Sequence, residues 1–150
     1  RRETKIVRYV MKILIFLVVT LFSYGSFAAE ITIEMLNKDA NGNKMVYSEE
    51  VAKISVGDTV KWLPSDKGHN VEFIAGPDGF KKPKKSKMNK EYGFTFEIPG
   101  VYLYQCTPHK SMGMIGLVVV GGDNSNKNSI AKAKVRGKSK KKLKKLLENL

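Results

Sequence analysis

A single cysteine, only two histidines, and 14 acidic residues against 27 basic ones are the scarcities of this 150-residue chain. One thiol excludes an internal disulfide, so the fold must rest on a packed core, for which the length suffices. Long apolar runs are missing too. The one strongly apolar stretch, Ile13–Phe22, is ten residues long, well short of the roughly 20 needed to cross a bilayer. The shortage of acid leaves a formal net charge of +13, which taken whole suggests a nucleic-acid binder. Its distribution argues otherwise. Residues 29–120 hold 12 lysines and 11 carboxylates, whereas residues 1–28 carry a net +4 and residues 121–150 a net +8. A body this close to neutral is not a nucleic-acid surface, and no nucleic-acid partner is expected.

Met11 and Lys12 precede the apolar stretch, and Ser26-Phe27-Ala28 beyond it has the small-x-Ala form of a cleavage site. This predicts an export signal removed after Ala28, no stable membrane insertion thereafter, and residues 1–10 as an upstream extension outside the fold. In an oxidising compartment a lone thiol is either buried, reactive by design or bound to a metal. Cys106 requires one of these roles.

Between Glu30 and Val120 the chain reads as short extended runs. Ile31, Ile33 and Met35 alternate with polar neighbours, and Tyr92, Phe94, Phe96 and Ile98 do the same, the period of half-buried strands. Six further runs separated by Gly-, Asn- and Asp-rich turns bring the count to about eight and predict an all-β antiparallel sandwich over residues 29–122. The Gly76–Lys90 connection is too long for a hairpin and is expected to cross between sheets, with room for one helical turn. Residues 123–150 read as a basic extension with two short helices, the first capped by Ser129 and ended by Gly137, the second capped by Ser139. Leu143, Leu146, Leu147 and Leu150 form one apolar stripe on the second helix, expected to dock on the sandwich.

The chemistry-bearing residues fall in the order His69…Cys106-x-x-His109-x4-Met114. A thiolate, two imidazoles and a thioether form a donor set that copper accepts in both oxidation states, as a trigonal His-His-Cys site with a weak axial Met. Met112, two residues from Met114, competes for the axial role; loop spacing favours Met114. A Cys-His hydrolase would need an orienting acid or amide and an oxyanion hole, and a zinc site gains little from a thioether. A copper chaperone or storage protein without redox cycling is the alternative that shares the ligands.

The segments Ser65–Glu72 (SDKGHNVE) and Gly100–Gly116 (GVYLYQCTPHKSMGMIG) resemble the cupredoxin superfamily, and within it the pseudoazurin family of type 1 blue-copper proteins, with similarity running over nearly the whole chain beyond the leader. The resemblance implies a cupredoxin-like Greek-key β-sandwich and one type 1 copper ion per chain held by His69, Cys106, His109 and Met114. It also implies that Asn70 braces the ligand loop and helps hydrogen-bond the thiolate, and that Met45 packs near His109. Ser65 stands where Thr is common, and Trp62 departs from the usual apolar residue. The function implied is a non-enzymatic, monomeric periplasmic electron carrier, with copper nitrite reductase, cytochrome c or cytochrome oxidases as candidate redox partners. Met45, Pro108 and Met112 are expected to form a dry docking patch around His109. Lysines of the Lys81–Lys90 loop, with Lys44, Lys67 and Lys110, would ring it; the tail lysines Lys140–Lys142 are expected to matter less.

Overall fold

The computed structural model describes residues 5–8, 10 and 27–150. The Ile13–Phe22 stretch lies outside the described residues; residues 5–8 and 10 are helical, and Phe27 and Ala28 are exposed. No described helix is long and apolar enough to cross a membrane.

All eight expected strands form: β1 (Glu30–Lys38), β2 (Lys44–Tyr47), β3 (Val51–Ile54), β4 (Thr59–Leu63), β5 (Glu72–Ala75), β6 (Tyr92–Thr95), β7 (Gly100–Gln105) and β8 (Ile115–Val120). They make two four-stranded sheets, ordered β2-β1-β4-β6 and β3-β8-β7-β5. Pairing is mixed. β1 runs parallel to β4 and β3 parallel to β8, while the other pairs are antiparallel. This is the Greek-key sandwich of the cupredoxins, with connections that carry the chain from one sheet to the other. The Gly76–Lys90 segment makes that crossing from β5 to β6, without a helical turn.

Strand periodicity sorts the side chains. In β7, Tyr102 and Tyr104 point between the sheets, whereas Val101 and Leu103 point outward. The outward side would be wet in a bare sandwich. Here it is covered, and β7 and β8 are buried along their whole length. The cover is the C-terminal extension: α1 (Lys127–Ala131) and α2 (Lys138–Glu148) place Ile130, Leu143, Leu146 and Leu147 against Val101, Leu103, Ile115 and Leu117. The leucine stripe therefore docks as its spacing predicts. Trp62 lies fully buried between the sheets, edge-on to Tyr104 at 5.1 Å and to Phe73 at 6.0 Å.

Both serine caps are corrected. α1 begins at Lys127, ahead of Ser129, and the side chain of Asn126 before it holds the edge of β7, accepting from Val101 N–H and donating to Val101 C=O. α2 begins after Gly137, leaving Ser139 inside its first turn. Gly137 has φ 55°, and a Cβ there would collide with the carbonyl oxygen of Ser111. A bare glycine thus lets the helix start against the Cys106–Met114 loop.

Candidate metal centre

Cys106 follows β7 by one residue and continues the inward register of Tyr102 and Tyr104, which makes it fully buried. The loop after it folds back on itself. His109 N–H donates to Cys106 C=O (3.1 Å), Met112 N–H to His109 C=O (2.9 Å) and Cys106 N–H to Met114 C=O (3.0 Å). These bonds bring Met114, fully buried, back beside Cys106 at the head of β8, while Met112 is 46% exposed. Gly113, at φ 99°, makes the turn between the two methionines.

His69 enters from the other side, just before β5. Its Nδ1 lies 3.7 Å from Cys106 Sγ, and His109 Nδ1 lies 3.4 Å from the same sulfur. The ligand-capable atoms of His69, Cys106 and His109 all fall within 4.8 Å of one another. His69 Nε2 is engaged by Asn37 Oδ1 at 2.9 Å. An amide oxygen only accepts, so Nε2 carries the proton and Nδ1 presents its lone pair to the cluster. Asn37 is the residue that sequence reasoning missed. The signal was there: it continues the inward register Ile31, Ile33, Met35 at the end of β1.

Asn70 behaves as the resemblance implied. Its Oδ1 accepts from Thr107 N–H at 2.8 Å and its Nδ2 donates to Thr107 Oγ1 at 3.0 Å, fastening the segment that bears His69 to the loop that bears His109. Tyr47 O–H donates to Asn70 C=O, and Thr107 and Gln105 both donate to Glu72. On the far side, Asn89 N–H bonds His69 C=O while its side chain accepts from Gly68 N–H at 2.6 Å. Met45 adopts φ 53° and packs on the core cluster that includes Cys106 and Met114.

Burial dominates the electrostatics. It lowers the pKa of His69, where His109 lowers it further and Asp66 opposes, and it lowers that of His109. It pushes the Cys106 thiol up, against the backbone N–H groups of Asn70 and His109. Two imidazoles whose burial favours the neutral form and a buried sulfur, joined by a buried thioether and, among the described residues, by no carboxylate, are soft donors in a low-coordination arrangement. That chemistry fits copper and disfavours hard cations.

The matches to known proteins agree with that donor set. Residues 33–121 match the family of copper binding proteins of the plastocyanin/azurin type. The chain belongs to this family, and its cofactor is copper. Among its relatives are pseudoazurins. The pseudoazurin of Paracoccus pantotrophus is 40% identical over 119 residues, 78% of this chain and 81% of that one. The crystal structure of pseudoazurin from Hyphomicrobium denitrificans superposes with a TM-score of 0.74 at 40% identity, covering 81% of this chain and 98% of the other. That of Methylobacterium extorquens AM1 gives 0.73 at 37% identity, over 80% and 98%.

Proposed function

We propose that this protein is a periplasmic type 1 blue-copper electron carrier in which His69, Cys106 and His109 are the strong ligands and Met114 the weak axial one. The observation that carries the reading is the convergence of His69 Nδ1 and His109 Nδ1 on Cys106 Sγ, with the remaining nitrogen of His69 already occupied by Asn37. Copper bound there supplies a one-electron couple. The chain's own part is to keep the donors still. β7 and β8 hold Cys106 and Met114, Asn37 fixes the tautomer of His69, and the Asn70–Thr107 bonds tie the two ligand-bearing segments together. A frame that does not rearrange keeps reorganisation small, which favours fast electron exchange.

His109 is the half-buried member of the set and the route to a partner. Exposed Pro108 and Met112 flank it as an apolar patch. Lys85 and Lys87 share one groove with Pro108, and Lys44, Lys138 and Lys141 share another with Met112. Such a rim steers an acidic redox protein, with copper nitrite reductase, cytochrome c or an oxidase as candidates, while the apolar centre sets the electron-transfer distance. In this organisation residues 1–28 are an extension and export leader, 29–122 the copper domain and 123–150 the basic extension. A visible spectrum of the oxidised, copper-loaded protein is the test. An intense thiolate-to-copper band supports the electron carrier, and a colourless Cu(I)-only protein supports storage or delivery instead.

A further inference from the structure

The function proposed above draws on Lys138 and Lys141 alone in the cationic extension and leaves the rest of its charge unexplained. The extension holds ten basic residues against Asp123 and Glu148, in a chain whose copper domain is nearly neutral. Eight of the ten are exposed, and of these ten only Lys142 and Lys144 pair with a carboxylate of the described residues, with Glu50 and Glu148. The leucines of α2 are spent on packing against the sheet. No large apolar residue of the extension is exposed, and it contains no aromatic.

The lysines divide between two flanks of α2. Lys138, Lys141, Lys142 and Lys145 line a groove of about 510 Å³ that reaches Met112 and Gly113. On the opposite flank, Lys127, Lys134, Lys140 and Lys144, with Glu148 beside Lys144, rim a second groove, of about 680 Å³, between α1 and α2. The floor of the second groove is apolar, made by Ala131, Val135, Leu143 and Leu147. The two grooves share no residue.

We infer that the α1–α2 flank is a reversible docking surface for an anionic lipid bilayer, held by its exposed rim lysines on lipid phosphates. Tight docking to a protein uses a protruding apolar or aromatic anchor that becomes desolvated, and single-stranded nucleic acid is held by aromatic stacking; Val135, Leu143 and Leu147 in the floor of this flank are already buried, and no large apolar or aromatic side chain is exposed on it. Lysines are compact, flexible point charges suited to a diffuse array of phosphates rather than to one bidentate contact. Attraction of this kind is additive, roughly fivefold in partition per lysine near an anionic surface, and is screened within a Debye length. Attachment by this flank leaves the other, which adjoins the ligand loop, open to partners. It would concentrate the carrier beside membrane-held redox proteins.

The test is sedimentation of the copper-loaded, secreted protein with vesicles of pure phosphatidylcholine and of phosphatidylcholine containing phosphatidylglycerol, at low and high salt. The expected result is binding to the anionic vesicles alone, reversed by salt. Lys134→Gln/Lys140→Gln/Lys144→Gln should lower that partition by about a hundredfold with an unchanged visible spectrum and melting temperature. Lys82→Gln/Lys84→Gln/Lys85→Gln, in the β5–β6 crossing, should lower it far less. The proposal is overturned if the crossing variant loses binding and the helix variant keeps it. Equal binding to neutral vesicles, displacement by millimolar inorganic phosphate at constant ionic strength, or tighter binding to a single-stranded DNA oligomer would each overturn it too.

Discussion

Ser139, inside the first turn of α2, donates its hydroxyl to the carbonyl oxygen of Lys110, 2.6 Å away and one residue beyond His109. The backbone of Lys138 adds a second bond, to Ser111 C=O at 2.9 Å. The extension is thus fastened to the loop that carries His109 and Met114, and does not merely cover the sheet. Ser139→Ala removes one buried bond and leaves the Lys110 carbonyl without that partner, so a loss of about 1 kcal/mol is expected. Gly137→Ala, at a positive φ against Ser111, should lose more, about 1–3 kcal/mol. Chemical denaturation gives the energies. Amide exchange across residues 109–113 should quicken in both variants, and protection equal to the parent would show that the loop does not depend on the helix.

The ligand roles are separable by substitution. Cys106→Ser should remove the intense visible band while circular dichroism still reports the sandwich; a variant that stays coloured excludes Cys106 as the thiolate donor. Met114→Gln should retain Cu(II) but lower the reduction potential, because a harder oxygen favours the oxidised ion. Met112→Gln should leave the potential nearly unchanged, since that side chain is at the surface.

The metal-free protein should be acid-sensitive through its histidines. Both have folded-state pKa values below the ordinary value, chiefly from burial. A depressed value means that the unfolded chain takes up protons first, so stability is full above about pH 6.5 and falls as pH drops through the lowered folded values. Urea midpoints of metal-free protein at pH 7.5 and pH 5 check this. Replacing His69 by Gln should flatten part of the slope, and an unchanged slope in that variant assigns the titration elsewhere.

Partner docking should follow the rim rather than the total charge. Lys44→Glu and Lys110→Glu should slow the bimolecular electron-transfer rate with a candidate reductase at low salt, with no change in the copper spectrum. Lys141 and Lys142 share the groove of Lys44 and Met112, whereas Lys140 lies on the opposite flank. The expectation that tail lysines matter less therefore narrows to Lys140, and stopped-flow rates of Lys140→Glu and Lys141→Glu test it directly.

Ala29 N–H donates to Asp58 Oδ1 at 2.8 Å, and Asp58 Oδ2 accepts from Ser55 N–H. If the leader is removed after Ala28, that amide becomes a terminal ammonium facing a carboxylate with only 7% exposure. Charge-assisted bonds are roughly twice as strong as neutral ones. Asp58→Asn should then destabilise the protein that begins at Ala29 more than one that retains Phe27 and Ala28. Equal losses in the two forms would place the new terminus elsewhere.

Much of this was legible in the sequence because period and spacing report directly on it. Alternation set the inward register of β1 and β6, and the Cys-x-x-His-x4-Met spacing marked the loop that closes on itself. The parallel pairing of β1 with β4 and of β3 with β8 was not legible, since alternation is the same whichever way a neighbour runs. Asn37 was missed because an amide at a strand end reads as solvent-facing until the opposite sheet delivers His69 to it. Ser139 was misread as a cap because serine is favoured both at helix starts and wherever a small hydroxyl can reach a carbonyl. Only the packing of α2 on the ligand loop decides between those roles.

Trp62 is the sole tryptophan. Enclosed by Tyr104, Phe73 and Tyr92, it has no surface open to solvent. An indole held this dry should fluoresce at short wavelength and shift to longer wavelength only when the two sheets part. The metal-free chain thus carries a built-in optical gauge of its own core, readable without a label.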